Sequence, residues 1–156
     1  MNTRKLSRYL SNWCKANGFD VGIRYGKDFA YYFTKDYVQY TFLVVDRQEE
    51  LFQKVFADEG LDYTCDIFIT SFFHELGHYC TDDNWSEKQS LKFMEKKAKL
   101  DGESDKDNME YFYMPDEIMA TRWAVDYINA NPTKVEEFWQ GAQERIMEIY
   151  EEVQSN

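Results

Sequence analysis

Apolar residues along this chain recur with two different periods, and the changes of period divide it into elements. From Thr3 to Ala16, Leu6, Tyr9, Leu10, Trp13 and Cys14 fall at three- and four-residue steps, the spacing of one helix face. Asn17-Gly18 predicts its end, because glycine takes the left-handed conformation past a last turn at little cost. From Phe19 to Val45 the pattern becomes that of strands. Asp20 to Tyr25 alternates, Phe29 to Phe33 is aromatic-rich, and Tyr37 to Val45 is a β-branched and aromatic run. Gly26-Lys27-Asp28 and Thr34-Lys35-Asp36 supply the turns, so the simplest assembly is a three-stranded antiparallel meander. Its tyrosines, Tyr31, Tyr32, Tyr37 and Tyr40, read as core or cross-strand partners in preference to a substrate-facing wall.

Helical periods then return. They predict helices over Asp46 to Ala57, with Leu51, Phe52, Val55 and Phe56 inward, and from Tyr63 or Thr64 to about Cys80. A third runs from Trp85 to Leu100, with Leu91, Phe93, Met94 and Ala98 among charged residues, and its Lys92, Lys96, Lys97 and Lys99 read as a solvated face. Asp101 to Asn108 is charged and contains Gly and Ser, which suggests a mobile loop and a candidate lid. Pro115 suits the first position of another helix. The last is expected over Thr133 to Val153, with Thr133 as N-cap and Glu136 as its capping-box partner. The fold class is therefore α+β, a three-stranded antiparallel sheet packed on about five to six helices in one domain spanning 1–156.

Composition narrows the partners. A length of 156 residues with 44% hydrophobic content, twelve Tyr, twelve Phe and four Trp can bury a proper core. No segment approaches the roughly 18 consecutive apolar residues of a membrane span, and the N-terminus lacks a secretory pattern, so a cytoplasmic protein with no membrane partner is expected. Cys14, Cys65 and Cys80 are odd in number and irregular in spacing, the usage of buried small hydrophobes rather than of a disulfide framework. A net charge of −11 disfavours nucleic acid, which selects for basic surfaces.

The chemistry is concentrated in Ser71-Phe72-Phe73-His74-Glu75-Leu76-Gly77-His78-Tyr79. The chain's two histidines stand four apart with a glutamate after the first, the HExxH pattern. One helical turn puts both imidazoles on one face, where they can share an ion, and zinc is expected. Glu75, rotated by roughly 100° from His74, is placed to act as a general base on water at the open position. Gly77 weakens the helix by about 1 kcal/mol relative to alanine. Crowding explains it best, by a neighbouring strand or a substrate backbone. Cys80 and the acids Asp82 and Asp83 lie close enough in sequence to be considered as a ligand and as hydrogen-bond partners of a ligating histidine, with core and loop roles as the plainer readings.

A third ligand is expected from the helix that Pro115 opens. Glu117, Ala120, Thr121 and Ala124 follow helical spacing, so one glutamate stands above a stripe of small residues that admits a close neighbour. If that neighbour is the HExxH helix, Glu117 completes a His2Glu site with a position left for water, and Asp116 is the substitute ligand. Carboxylates in a first turn also suit the helix dipole with no further role. Tyr111 and Tyr113, just upstream, are candidate stabilisers of a developing oxyanion, equally suited to packing.

Together, His74-Glu75-Leu76-Gly77-His78 and Glu117-x-x-Ala120-x-x-Trp123-Ala124 resemble the ImmA/IrrE-type metallopeptidases of bacteria, phages and mobile elements, whose pattern reads HELGH and then E-x-x-A-N-x-F-A. Thr121 stands where that family has Asn, and Tyr127-Ile128-Asn129-Ala130 where it has Leu-Leu-Met-Pro. The resemblance implies a small zincin-like, gluzincin-type domain. It assigns zinc to His74, His78 and Glu117, the base to Glu75, and as substrate a specific intracellular protein such as a transcriptional repressor. The alternative is a phage or mobile-element protein that binds and inhibits a host protein, its zinc site serving the fold. Zinc-dependent hydrolysis of another bond is a third possibility.

Overall fold

Leu6, Leu10 and Cys14, four residues apart, are all fully buried, and they define the inner face of α1 (Arg4–Ala16). The computed structural model describes residues 1–42 and 48–155. Their fold is α+β, with seven α-helices among the described residues rather than five or six. They group into two compact units, the described parts of Met1–Val44 with Asn131–Asn156, and those of Val45–Ala130. No helix among them is long and apolar enough to cross a membrane.

In the first unit α1 packs on α7 (Pro132–Ser155). Trp13 meets Phe138 edge-on at 4.8 Å, and the Tyr9 hydroxyl donates to the Phe138 carbonyl at 3.0 Å. Helix α7 begins at Pro132, so Thr133 lies inside the first turn and is not the N-cap. The Asn131 carbonyl takes the first helical bond, from Val135, because proline at the first position needs no donor.

The strands β1 (Gly22–Tyr25), β2 (Ala30–Tyr32) and β3 (Tyr37–Tyr40) form one sheet in the order β1-β3-β2. It is not the antiparallel meander. β2 and β3 are an antiparallel hairpin, but β1 runs parallel to β3, with Gly22 opposite Tyr37. Burial gives the reason: Val38 and Tyr40 of β3 are fully buried, whereas β1 and β2 hold no buried residue. The strand that carries the buried residues takes the shielded central place. The tyrosines act within the fold, with Tyr32 stacked on Tyr37 across the hairpin at 4.6 Å and the Tyr40 hydroxyl 2.7 Å from Ser7 Oγ on α1. The expected continuation of β3 to Val45 and the start of the next helix at Asp46 fall on 43–47, outside the described residues.

The second unit is built around α3 (Ile67–Thr81), buried throughout from Phe68 to Gly77. It starts later than its apolar pattern suggests, because the Asp66 carboxylate accepts the Phe68 amide at 2.9 Å and caps it there. Helix α2 (Gln48–Asp58) brings Phe52 against the His74 ring, and a short 3-10 turn (Asp82–Asn84) leads to α4 (Glu87–Ala98). A reciprocal Ser86–Gln89 capping box opens α4. Leu91 and Met94 are exposed, and the inner stripe is Ser90, Phe93, Lys97 and Leu100.

The second half of the expected lid is helix, the start of α5 (Asp105–Phe112). Ser104 Oγ caps it, Asp107 accepts the Asp101 amide at 2.6 Å, and buried Asn108 donates to the Gly102 carbonyl at 3.1 Å. Its charged first turn hid the period, which shows only in Met109 and Phe112 packing with Val55 and Ile118.

Helix α6 (Pro115–Ala130) starts at the proline, as expected. Its contact with α3 is the most extensive between any two elements of the described residues. A Cβ on Gly77 would fall on the Ala120 carbonyl oxygen and within 3.1 Å of the Ala120 Cα. The crowding at Gly77 therefore comes from a helix backbone, neither a strand nor a substrate. Gly77→Ala is expected to destabilise the fold by about 1–3 kcal/mol through overpacking, read as a lower urea midpoint at unchanged slope.

Candidate metal centre

Helical geometry on α3 delivers two imidazoles to one face, and the close approach of α6 delivers a carboxylate to them. Glu117 reaches between the histidines, with Oε1 3.0 Å from His74 Nε2 and Oε2 3.0 Å from His78 Nε2. Donor atoms of the three residues lie within 4.8 Å of one another. Three donors around a tetrahedral ion at zinc distances would stand about 3.3 Å apart, and the two Glu117–histidine contacts, at 3.0 Å, are close to that spacing. His74 and Glu117 are each 5% exposed in their side chains and His78 is 14%, which leaves the His78 side as the approach.

The contact behind His74 also suits a metal ion. Thr121 Oγ1 lies 3.0 Å from His74 Nδ1. Donation from Nδ1 to the Thr121 hydroxyl would free the Nε2 lone pair for an ion that took the place of the Nε2–Glu117 hydrogen bond. Thr121, 1% exposed, thus stands behind a candidate ligand, in the contact between α6 and α3. A buried His74, His78 and Glu117 group can hold a metal ion. Burial alone would raise the Glu117 pKa, but the His78 charge and hydrogen bonds from both histidines outweigh it. They hold the carboxyl well below its usual range, ready to ligate as an anion.

Lys97 is the residue that sequence reasoning missed. Read as part of a solvated lysine face, it is in fact 16% exposed, with Nζ 2.6 Å from Glu117 Oε2 and 2.7 Å from Asp116 Oδ2. Burial acts to lower its pKa, but the Glu117 and Asp116 charges raise it above the ordinary value, so the ammonium stays charged. The available signal was position: Lys97 follows Phe93 by four residues and precedes Leu100 by three, on the inner stripe of α4.

The other candidates take these places. Asp116 pairs with Lys97 and accepts the Glu117 amide at 3.0 Å; it stands outside the ligand group. Cys80 is also outside it, its thiol pushed up to about 11 by burial. Asp82 and Asp83 enter the 3-10 turn, and the His74 Nδ1 contact comes from Thr121 on α6 instead. Glu75, next to His74 in sequence on α3, is buried, 8% exposed. The Tyr111 ring lies 5.3 Å from Lys97 Nζ, which ties it to the centre's edge. Tyr113 is 41% exposed, and the charges around its hydroxyl are Glu59, Asp58 and Arg122.

Thr121→Val should weaken binding of a divalent metal ion by about 10- to 100-fold, the usual cost of losing a partner behind a ligating histidine. Thr121→Ser should restore most of it, with affinity measured by competition against a chromophoric chelator. Among proteins already described, the chain matches no protein-family model, no curated protein and no solved structure.

Proposed function

We propose that this chain is a zinc-dependent endopeptidase acting on a specific intracellular protein, in the manner of the ImmA/IrrE-type enzymes that its two motifs resemble. The observation that carries the reading is the convergence of His74, His78 and Glu117 from two helices, with one side more open than the rest and Glu75 beside it in sequence. Zinc held by this set would polarise a scissile carbonyl and bring the pKa of water toward about 7. His74 and His78 supply neutral nitrogen ligands, and Glu117 supplies the charge that balances part of the ion's. Glu75 takes the proton from the attacking water and passes it to the departing amine. Tyr111, at the edge of the centre through Lys97, is better placed than Tyr113 to donate to the developing oxyanion.

A peptide is the substrate class proposed because a His2Glu site with an adjacent glutamate matches the arrangement of zinc proteases. The repressor target rests on the resemblance alone.

The test compares wild type with Glu75→Gln for zinc content, and for proteins shortened on expression, by mass spectrometry. The variant is expected to keep its zinc and lose at least about a hundredfold in cleavage. Full cleavage by Glu75→Gln would refute the proposal. A biological effect that survives in Glu75→Gln and is lost on unfolding by Glu117→Ala would favour a host-protein binder with a structural ion. Chelation should abolish cleavage in the wild type, and added zinc should restore it.

A further inference from the structure

Lys97 stands where its charge and that of an incoming ion cannot both be fully satisfied. Its Nζ is 2.6 Å from Glu117 Oε2, the oxygen that also faces His78 Nε2 at 3.0 Å. An ion bound to that oxygen at about 2.0–2.2 Å would lie no more than about 5 Å from the ammonium. At such a separation, in a site shielded from water, a divalent and a monovalent cation repel strongly. The lysine also has a second place to go, since Asp116 Oδ2 is 2.7 Å away on the first turn of α6. Glu117 can be given up to an ion while Lys97 keeps Asp116.

We infer that Lys97 is a positioning residue of this centre, an internal counter-cation that holds Glu117 between the histidines and competes with the divalent ion for its carboxylate. Before the ion arrives, the lysine compensates a buried anion whose burial would otherwise be costly. On arrival, the ion displaces the lysine toward Asp116. The consequence is a metal affinity set lower than the same ligands would give alone, and an ion that exchanges more readily. The inference rests on the metal-centre reading above and adds to it a residue that ligates nothing.

The experiment titrates wild type, Lys97→Met, Lys97→Arg and His74→Ala with Zn2+ and with Co2+, whose visible bands report coordination. Lys97→Met is expected to bind both ions at least about tenfold more tightly than wild type, because the repelling charge is gone. Lys97→Arg, which keeps the charge, should stay within about threefold of wild type. Equal or weaker binding by Lys97→Met overturns the competition while leaving the metal centre intact. Failure of both wild type and Lys97→Met to bind, or binding that His74→Ala leaves unchanged, overturns the metal-centre reading and this inference with it. Because Lys97→Met removes the ammonium from Asp116 and leaves Glu117 to the two histidines alone, its melting temperature is followed with and without Zn2+. A lower metal-free value and a larger zinc-induced rise than in wild type are expected; a rise no larger than wild type counts against the competition.

Discussion

The contact between Gly77 and the Ala120 backbone is the constraint on which the second unit's chemistry depends. Packed helices ordinarily keep their axes about 8–10 Å apart, at a distance set by the side chains between them. Here one helix has no side chain at the crossing and the other presents a methyl and a carbonyl, so the backbones touch. The polar residues flank this point with the same spacing on both helices. His74 and His78 lie three before and one after Gly77, and Glu117 and Thr121 lie three before and one after Ala120. A close crossing therefore brings His74 to both Thr121 and Glu117, each at 3.0 Å. A wider crossing would separate all four.

Bringing a carboxylate into so apolar a setting carries an electrostatic cost. An unpaired buried anion is strongly disfavoured and tends to protonate. Glu117 stays ionised because its oxygens face three nitrogen donors, those of His74, His78 and Lys97. The chain is acidic overall, with a net charge of −11, yet it keeps one lysine largely inside at this point. The surrounding apolar wall, with Phe52 against His74 at 5.3 Å and the Val55, Phe112 and Ile118 cluster beside it, limits solvent screening and makes each of these contacts count for more.

What the sequence by itself determined was mostly local. The helix α3, the shared face of His74 and His78, and the start of α6 at Pro115 follow from period, capping and chain stiffness, which act over a few residues. Glu117 was also legible, since a lone acid over Ala120, Thr121 and Ala124 implies a helix close by, although its partner had to be assumed. Tertiary structure decided the rest. Strand period says nothing about which edge pairs with which, so the central place of β3 followed from the burial of Val38 and Tyr40. The α5 helix was concealed by a charged first turn that only its Ser104 cap and the hydrogen bonds around Asp107 and Asn108 fasten. Thr121 and Lys97 acquired their roles from residues 47 and 20 positions away in the chain. A hydroxyl or an ammonium carries no mark of its partner until another helix arrives, because hydrogen bonds and ion pairs are set by distance in space, not by spacing along the chain.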